Sequence, residues 1–147
     1  MRIAAVVNAK DVAFDYAAKL HDQMSALKGC LSPRRVYWEV DLGGPITAGR
    51  NTYVHHALQW IGLTNVYGDV RDSYFQPVDE ETRTRKPQWI LYEPKKDYDR
   101  TGQKRLLAKL QRRWGNIPIL ILPHDFLAHY GPALVDEVLP KLTKLME

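Results

Sequence analysis

Two short segments of this chain are almost wholly apolar, and a proline adjoins each. Trp89–Tyr92 follows closely after Pro87, and Ile117–Leu122 ends at Pro123. A strand that is apolar at successive positions has both faces covered, which is typical of a parallel sheet between two layers of helices. A strand with one solvated face would instead alternate apolar and polar residues. The two segments therefore predict the centre of an α/β domain.

Helical patterns separate these strands from one another. A further strand of β-branched and aromatic residues is predicted at Val36–Val40. Pro140 falls inside the last helix and is expected to kink or divide it. The predicted helices are Ala9–Lys28, Asn51–Ile61, a short one that begins at Asp79, Thr101–Trp114 and Gly131–Met146. This alternation predicts an α/β fold of three layers, α/β/α, with a mainly parallel central sheet.

Composition excludes several classes of protein. The 147 residues are 45% hydrophobic and 26% charged, enough for one globular domain. No apolar run approaches the ~20 residues that cross a bilayer, so no membrane insertion is expected. The net charge of +4 comes from basic residues spread along the chain, so we expect no nucleic-acid binding. The apolar run Ile3–Val7 is shorter than the core of a secretory signal, and Cys30 has no second cysteine to pair with.

The predicted topology indicates where a ligand would bind. In sheets of this type, ligands bind beyond the carboxyl ends of the strands. Those ends lead into Asp41–Arg50, Glu93–Asp97 and Pro123–Tyr130. A loop with an aromatic pair, Tyr74–Gln76, precedes an acidic helix start and is a further candidate. We therefore expect a site formed by these loops.

Motifs for catalysis and metal binding are weak. The chain has no Gly-x-Ser-x-Gly, Walker loop, Gly-x-Gly-x-x-Gly or Cys-x-x-Cys motif. His55 and His56 are adjacent on a predicted helix, where side chains point about 100° apart and do not readily share a metal. Asp125 and His129 suit one helix face but supply only two ligands, so no dedicated metal site is predicted. A small enzyme that uses Asp125 and His129 stays open as an alternative.

The order of motifs along the chain resembles that of a transport family. The motifs are the long first helix, the strand Val36–Val40, the Pro-x-x-x-Gly loop Pro45–Gly49, the segments Gly62–Asp69, Tyr74–Glu80 and Lys86–Ile90, and the helix start Gly131–Val135. This series is similar to the C-terminal lobe of the class III substrate-binding proteins of ABC importers, which bind vitamin B12, heme and iron siderophores. The resemblance covers nearly the whole chain, and the family's N-terminal lobe has no counterpart in it. It implies a helix of the inter-lobe type in residues 1–30, packed on a lobe formed by residues 31–147.

The resemblance implies a ligand site on two loops. The family's loop tryptophan, which packs against a flat or bulky ligand, corresponds to Tyr74, with Phe75 beside it. The loop after the last strand supplies an acid and an arginine in the vitamin B12 binders, and the matching positions are Asp125 and His129. The structural alternatives are a Tyr74 ring folded onto the core, a capping aspartate and a surface histidine.

Three further residues match contact positions of the family. Thr47 and Arg50 follow the first strand, where the family touches its ligand. Glu80 matches the carboxylate with which these lobes dock onto the permease. The alternatives are that Arg50 caps a neighbouring helix and that Glu80 only complements a helix dipole.

These matches imply a function in transport. The chain would be one lobe of an ABC-importer binding protein that binds an iron–siderophore, heme or cobalamin-like ligand, with no catalytic activity and no cofactor of its own. Its partners would be an ABC permease and either the missing N-terminal lobe or a second copy, which would cover the exposed part of Ala9–Lys28. The family is periplasmic or extracellular, but a chain without a signal is expected in the cytoplasm if it is complete as given. The alternatives are an intracellular interaction or dimerisation domain of the same fold and, from another class, a small α/β enzyme.

Overall fold

The computed structural model describes residues 10–147 as helices packed on a central sheet. The helices are α1 (Lys10–Leu27), α2 (Tyr53–Trp60), α3 (Asp79–Thr84), α4 (Arg100–Trp114) and α5 (Leu139–Met146), with a π-helical turn at Leu134–Val138. The strands are β1 (Arg35–Asp41), β2 (Pro45–Ala48), β3 (Thr64–Asn65), β4 (Tyr74–Phe75), β5 (Trp89–Glu93) and β6 (Ile119–Ile121). The predicted start of the first helix at Ala9 and the apolar run Ile3–Val7 lie outside the described residues.

The sheet is mixed rather than wholly parallel. Its order is β4-β2-β1-β5-β6, and β3 pairs with the first residues of β1. The strands β1, β3, β5 and β6 are parallel, whereas β2 runs antiparallel to both β1 and β4. The α/β class and the mainly parallel centre of the sheet are therefore confirmed.

Two segments predicted as loops are strands. Pro45–Ala48 forms β2 because the glycines before it make a tight turn rather than a long connection. The Leu42 N–H donates to the Gly44 carbonyl at 3.1 Å, and the Gly43 N–H donates to the Asp41 carboxylate at 2.9 Å. Gly43 has a φ of +96°, which only glycine adopts easily. The chain thus returns beside β1, and the short strand β4 then pairs with β2.

Alternate residues of β1 face the two helical layers. Val36, Trp38 and Val40 pack in a core with α2 and α5, whereas Tyr37 packs in a second core with α4. Tyr37 is fully buried, and its ring centroid lies 5.3 Å from that of Trp114. This alternation is the pattern expected of a central strand between two layers of helices.

A charged cluster joins three elements on the α4 side of the sheet. Glu39 of β1 is only 2% exposed and accepts hydrogen bonds from the Tyr37 hydroxyl and from Arg113 Nη1, the latter at 2.6 Å. The same guanidinium donates to both carboxylate oxygens of Asp79, at 2.6 and 2.8 Å. Arg113 therefore ties β1 and α3 to α4 through two carboxylates.

The long helix α1 packs on the domain through its carboxyl-terminal half. Leu20, Met24 and Leu27 are half-buried, and the Trp60 indole N–H donates to the Met24 carbonyl at 2.7 Å. Val12 and Phe14, near the other end, are 71% and 59% exposed. The expected uncovered part of this helix is therefore present.

The last helix is divided close to the proline, as predicted. The π-helical turn Leu134–Val138 leads into α5, where Pro140 is the second residue. Proline is tolerated there because the N–H groups of a first helical turn have no partner within their own helix.

Candidate functional site

Four aromatic side chains are grouped on the α2 face of the sheet, two of them exposed; we call Trp38, Tyr53, Tyr74 and Tyr130 the aromatic edge. Trp38 of β1 and Tyr74 of β4 lie in one row across the sheet, with Ala48 of β2 paired to Tyr74 between them. Because alanine is small, the two rings approach to 6.4 Å between centroids. Tyr74 and Tyr130 are 47% and 80% exposed, so their rings are open to a ligand.

Tyr53 connects the two sides of the aromatic edge. It is the first residue of α2, which begins there because Thr52 caps the helix: the Thr52 hydroxyl accepts from the His55 N–H. The Tyr53 hydroxyl donates to the Leu127 carbonyl at 2.5 Å, and its ring lies 5.8 Å from that of Tyr130. Burial raises the pKa of the Tyr53 hydroxyl, and the neighbouring Tyr74 adds to that increase. Tyr53 therefore remains a neutral hydrogen-bonding group at physiological pH.

Glu93 lies beneath this surface at the carboxyl end of β5 and is fully buried. Its Oε2 accepts from the Trp38 indole N–H at 3.3 Å and from the Leu127 backbone N–H at 3.1 Å. Its Oε1 has no hydrogen-bond partner within residues 10–147. Burial raises the pKa of this carboxyl, while the two N–H donors lower it in part. Glu93 thus holds Trp38 and the Leu127 loop in position, but it does so with a carboxyl group that is buried.

This burial predicts a pH-dependent effect of Glu93→Gln. The folded-state pKa lies above the unfolded value, so the group destabilises the fold as the pH rises through the folded-state pKa. Glutamine keeps an acceptor for both N–H groups and never ionises, so the variant should be more stable than the natural protein by about 1 kcal/mol near pH 7. The difference should disappear near pH 4, where Glu93 is protonated.

Urea unfolding at several pH values measures this difference. The exposed Glu137→Gln is the matched control and should show no such pH dependence. A Glu93→Gln variant that is less stable than the natural protein by the same amount at every pH would show that Glu93 acts only through its hydrogen bonds.

The loop after β6 carries Asp125 and His129. Phe126 and Leu127 are buried and anchor this loop, so Asp125 and His129 are held at the surface on either side of the anchor. Asp125 has a φ of 53°, and its carboxylate lies 3.4 Å from His124 Nε2. Both predicted residues therefore belong to the same loop as Tyr130 of the aromatic edge.

The other predicted site residues lie apart from this surface. Thr47 is fully buried, and its hydroxyl donates to the Trp38 carbonyl at 2.6 Å. Phe75 points to the opposite face of the sheet, where it packs edge-on against Tyr67 with centroids 5.1 Å apart. Arg50 lines a separate pocket with His55, and Glu80 is exposed in the first turn of α3. The structure thus brings Tyr74 together with the Asp125–His129 loop, through Tyr53, and leaves the others out.

Sequence reasoning did not single out four residues of this site: Trp38, Tyr53, Glu93 and Tyr130, the last of which ends the predicted loop Pro123–Tyr130. Trp38 is indistinguishable from a core residue in the sequence, because a buried strand is expected to be apolar. Glu93 had a usable signal, since a carboxylate directly after the apolar strand Trp89–Tyr92 has to be either solvated or paired in the interior.

Within residues 10–147, no three histidine, cysteine or acidic side chains are grouped to hold a metal ion. In the same residues, no helix combines the length and the apolarity that a membrane crossing requires.

Comparisons with solved structures identify the fold, whereas no family model matches the sequence. An ABC transporter substrate-binding protein of Listeria monocytogenes superposes with a TM-score of 0.80 at 14% identity, over 98% of this chain and 60% of that one. A protein of an ABC-type Fe³⁺-hydroxamate transport system from Saccharomonospora viridis gives 0.74 at 22% identity, over 99% and 53%. The periplasmic vitamin B12 binding protein of Vibrio cholerae gives 0.67 at 19% identity, over 94% and 53%.

These superpositions confirm the resemblance at the level of the fold. The chain has the fold of one lobe of the class III periplasmic binding proteins. It spans 53% to 60% of the length of the three proteins named above.

Proposed function

We propose that this chain is one lobe of a two-lobed binding protein that takes up a bulky chelate, of the iron–siderophore, heme or cobalamin kind, for an ABC importer. The observation that carries the proposal is the aromatic edge. Its two exposed rings, Tyr74 and Tyr130, are backed by Trp38 and Tyr53, so they offer rigid apolar area with little entropy to lose on binding. This role is one of binding rather than catalysis.

The chemistry of the surface suits a large flat ligand with polar substituents. The tyrosine rings provide apolar contact, and their hydroxyl groups provide hydrogen bonds at the rim. Asp125 and His129, exposed on the neighbouring loop, supply polar groups for carboxylates or amides of the ligand. The proteins with the same fold include one of a ferric hydroxamate system and one that binds vitamin B12, which supports a chelate as the ligand class.

A second lobe is the partner that fits the uncovered end of α1. Val12 and Phe14 are largely exposed there, although the other half of the helix is packed on the domain. The chain also spans little more than half the length of the binding proteins that it matches. A second lobe seated on α1 would cover these side chains and place the opposite wall of the cleft over the aromatic edge. Glu80, exposed on α3, is the proposed contact with the permease.

Ligand titration tests the binding role. Heme, cyanocobalamin and a ferric hydroxamate siderophore are each added to the chain, and tryptophan fluorescence is followed because Trp38 lies next to Tyr74. We expect saturable quenching by one of the three ligands. Tyr74→Ala and Tyr130→Ala should each weaken that binding about tenfold or more, since each removes an aromatic contact at the centre of the site.

A tyrosine outside the aromatic edge provides the matched control. Tyr98 lies in the loop before α4, and Tyr98→Ala should leave the affinity unchanged. Absence of quenching by all three ligands, or equal binding by all variants, would contradict the proposal.

The alternative of an interaction domain without transport is favoured by the same exposed residues of α1. Sedimentation analysis separates the two candidates: a stable dimer that Phe14→Asp dissociates, in a chain that binds none of the three ligands, would support the interaction domain instead.

A further inference from the structure

A pocket of about 670 Å³ lies beside the amino-terminal end of β1, on the edge where β3 pairs with that strand. Its walls come from the start of β1, from the loop after β2, from α2 and from the segment that follows β3. None of the four residues of the aromatic edge lines it. It is therefore a separate concave surface that the proposed chelate site does not use.

Positive charge dominates the walls of this pocket. Arg35, Arg50 and Arg85 line it, together with the imidazoles of His55 and His56. The carboxylate among the lining residues is Asp69. The first turn of α2, which adjoins the pocket, carries no acidic residue that would offset the positive end of the helix dipole. An anion is therefore the ligand that this environment favours.

The three arginines differ in how far protein groups already satisfy them. Arg85 is fully engaged: its guanidinium donates to Asp69 at 2.5 Å, to the Val66 carbonyl at 2.8 Å and to Glu81 at 3.0 Å. Arg85 therefore neutralises Asp69 and keeps that carboxylate from opposing an anion.

Arg50 differs from Arg85 in this respect. It is exposed, and within residues 10–147 its guanidinium makes no hydrogen bond or ion pair. Its backbone is nevertheless fixed, because its N–H donates to the Val70 carbonyl at 2.7 Å. Arg35 donates to a backbone carbonyl, that of Arg85, at 2.5 Å and keeps an uncompensated charge. A planar guanidinium on a fixed backbone is suited to bidentate binding of an oxyanion.

His55 is a largely buried polar residue among those that line the pocket. His55 is only 7% exposed, yet its Nδ1 has no hydrogen-bond partner among the described residues. This edge of the ring faces Gly68, where a Cβ would lie 2.8 Å from Cε1 and 3.3 Å from Nδ1. Gly68 lines the pocket, and a side chain at this position would collide with the imidazole. An unpaired buried polar atom of this kind is uncommon in a folded protein.

We propose that this pocket binds a phosphate group, either inorganic phosphate or the phosphate of a small ester. Arg50 provides the bidentate contact and Arg35 the second positive charge. The imidazoles of His55 and His56, whose ring centroids lie 5.2 Å apart, provide hydrogen bonds to the oxygens. A phosphate that carries both acceptor oxygens and a hydroxyl satisfies a neutral imidazole better than an anion with acceptors alone.

Histidine resonances provide a direct readout of this binding. Sodium phosphate is titrated into the chain in a phosphate-free buffer, and the imidazole signals of the five histidines are followed by NMR. We expect saturable shifts of His55 and His56 only, with a dissociation constant of about 1 mM or tighter. Glycerol 3-phosphate is titrated in parallel, and a tighter constant for it would identify an ester rather than free phosphate as the ligand.

Arg50→Gln should weaken phosphate binding about tenfold or more, because it removes the charged bidentate contact. Arg71→Gln is the matched control, an exposed arginine nearby that does not line the pocket, and should bind as the natural chain does. Arg50→Gln should leave chelate binding unchanged, and Tyr74→Ala should leave phosphate binding unchanged. Equal losses in Arg50→Gln and Arg71→Gln, or shifts that fail to saturate, would show a general charge effect and overturn the proposal.

Discussion

Replacing Arg113 by methionine is expected to lower the free energy of unfolding by about 3–5 kcal/mol, because it leaves a buried carboxylate without its partner. Glu39 is 2% exposed, and its contact with Arg113 Nη1 is 2.6 Å long. The Tyr37 hydroxyl also donates to Glu39 but carries no charge to compensate it. The substitution also releases Asp79, whose carboxylate the same guanidinium holds through two hydrogen bonds. The effect is large because one side chain serves two acids on different elements.

Urea denaturation measures the change, and two further variants isolate its cause. Arg112→Met alters the exposed neighbour of Arg113 on α4 and should stay within about 0.5 kcal/mol of the natural protein. Glu39→Gln combined with Arg113→Met should recover much of the loss, since no buried charge then remains. An Arg113→Met protein as stable as Arg112→Met would show that Glu39 is adequately solvated without its partner.

The ion pair between Arg113 and Asp79 determines part of the acid sensitivity of the fold. Arg113 lowers the pKa of the Asp79 carboxyl below its ordinary value, mainly through the hydrogen bonds between them. The resulting stabilisation is present above the unfolded-state pKa, about 3.9, and is lost as the pH falls through the folded-state pKa. Arg113→Met should therefore lose most of this dependence along with the stability itself.

The central strands of the sheet could be predicted because their sequence patterns are compatible with one arrangement. An apolar run such as Trp89–Tyr92 has to be covered on both faces, and β5 lies between β1 and β6 in the middle of the sheet. The antiparallel strand β2 was missed because Pro45–Ala48 is short and lies between glycines, a composition that also describes a loop. Only the pairing with β1 and β4, which is not local in the sequence, distinguishes the two.

Sequence reasoning singled out the exposed Tyr74, but not its buried neighbours Trp38 and Glu93. Tyr74 was a candidate cleft aromatic, and its side chain is 47% exposed. Its support comes from Trp38 and Glu93, which lie 55 residues apart in the chain and meet through one hydrogen bond. Neither partner indicates the other in the sequence, because each is explained equally well as a part of its own strand.

Gly49→Ala is the second substitution expected to have a large effect. The backbone of the segment that leads into β4 passes close to Gly49. A Cβ at this position would lie 2.0 Å from the Asp72 carbonyl oxygen and 2.9 Å from that of Val70. Both atoms belong to the backbone and cannot move as a side chain would. The Gly49 N–H also donates to the Ser73 carbonyl at 2.8 Å, which holds the segment just before Tyr74. We expect a loss of about 3 kcal/mol, at the upper end of the range for overpacking.

Gly44→Ala is the matched control. It shows whether the loss of stability comes from the backbone contact at Gly49 or from the change of a glycine to alanine. A Cβ on Gly44 would meet only the end of the flexible Gln76 side chain, at 3.4 Å, so Gly44→Ala should be nearly neutral. Because the Cβ of Gly49→Ala would collide with the backbone of Val70 and Asp72, the 70–73 segment should be displaced and Tyr74 should move away from Trp38. The variant should then lose chelate binding even in the fraction that remains folded, which fluorescence titration and urea denaturation measure together. A Gly49→Ala protein with the stability of Gly44→Ala would show that β4 has room to shift, and that the aromatic edge does not depend on this contact.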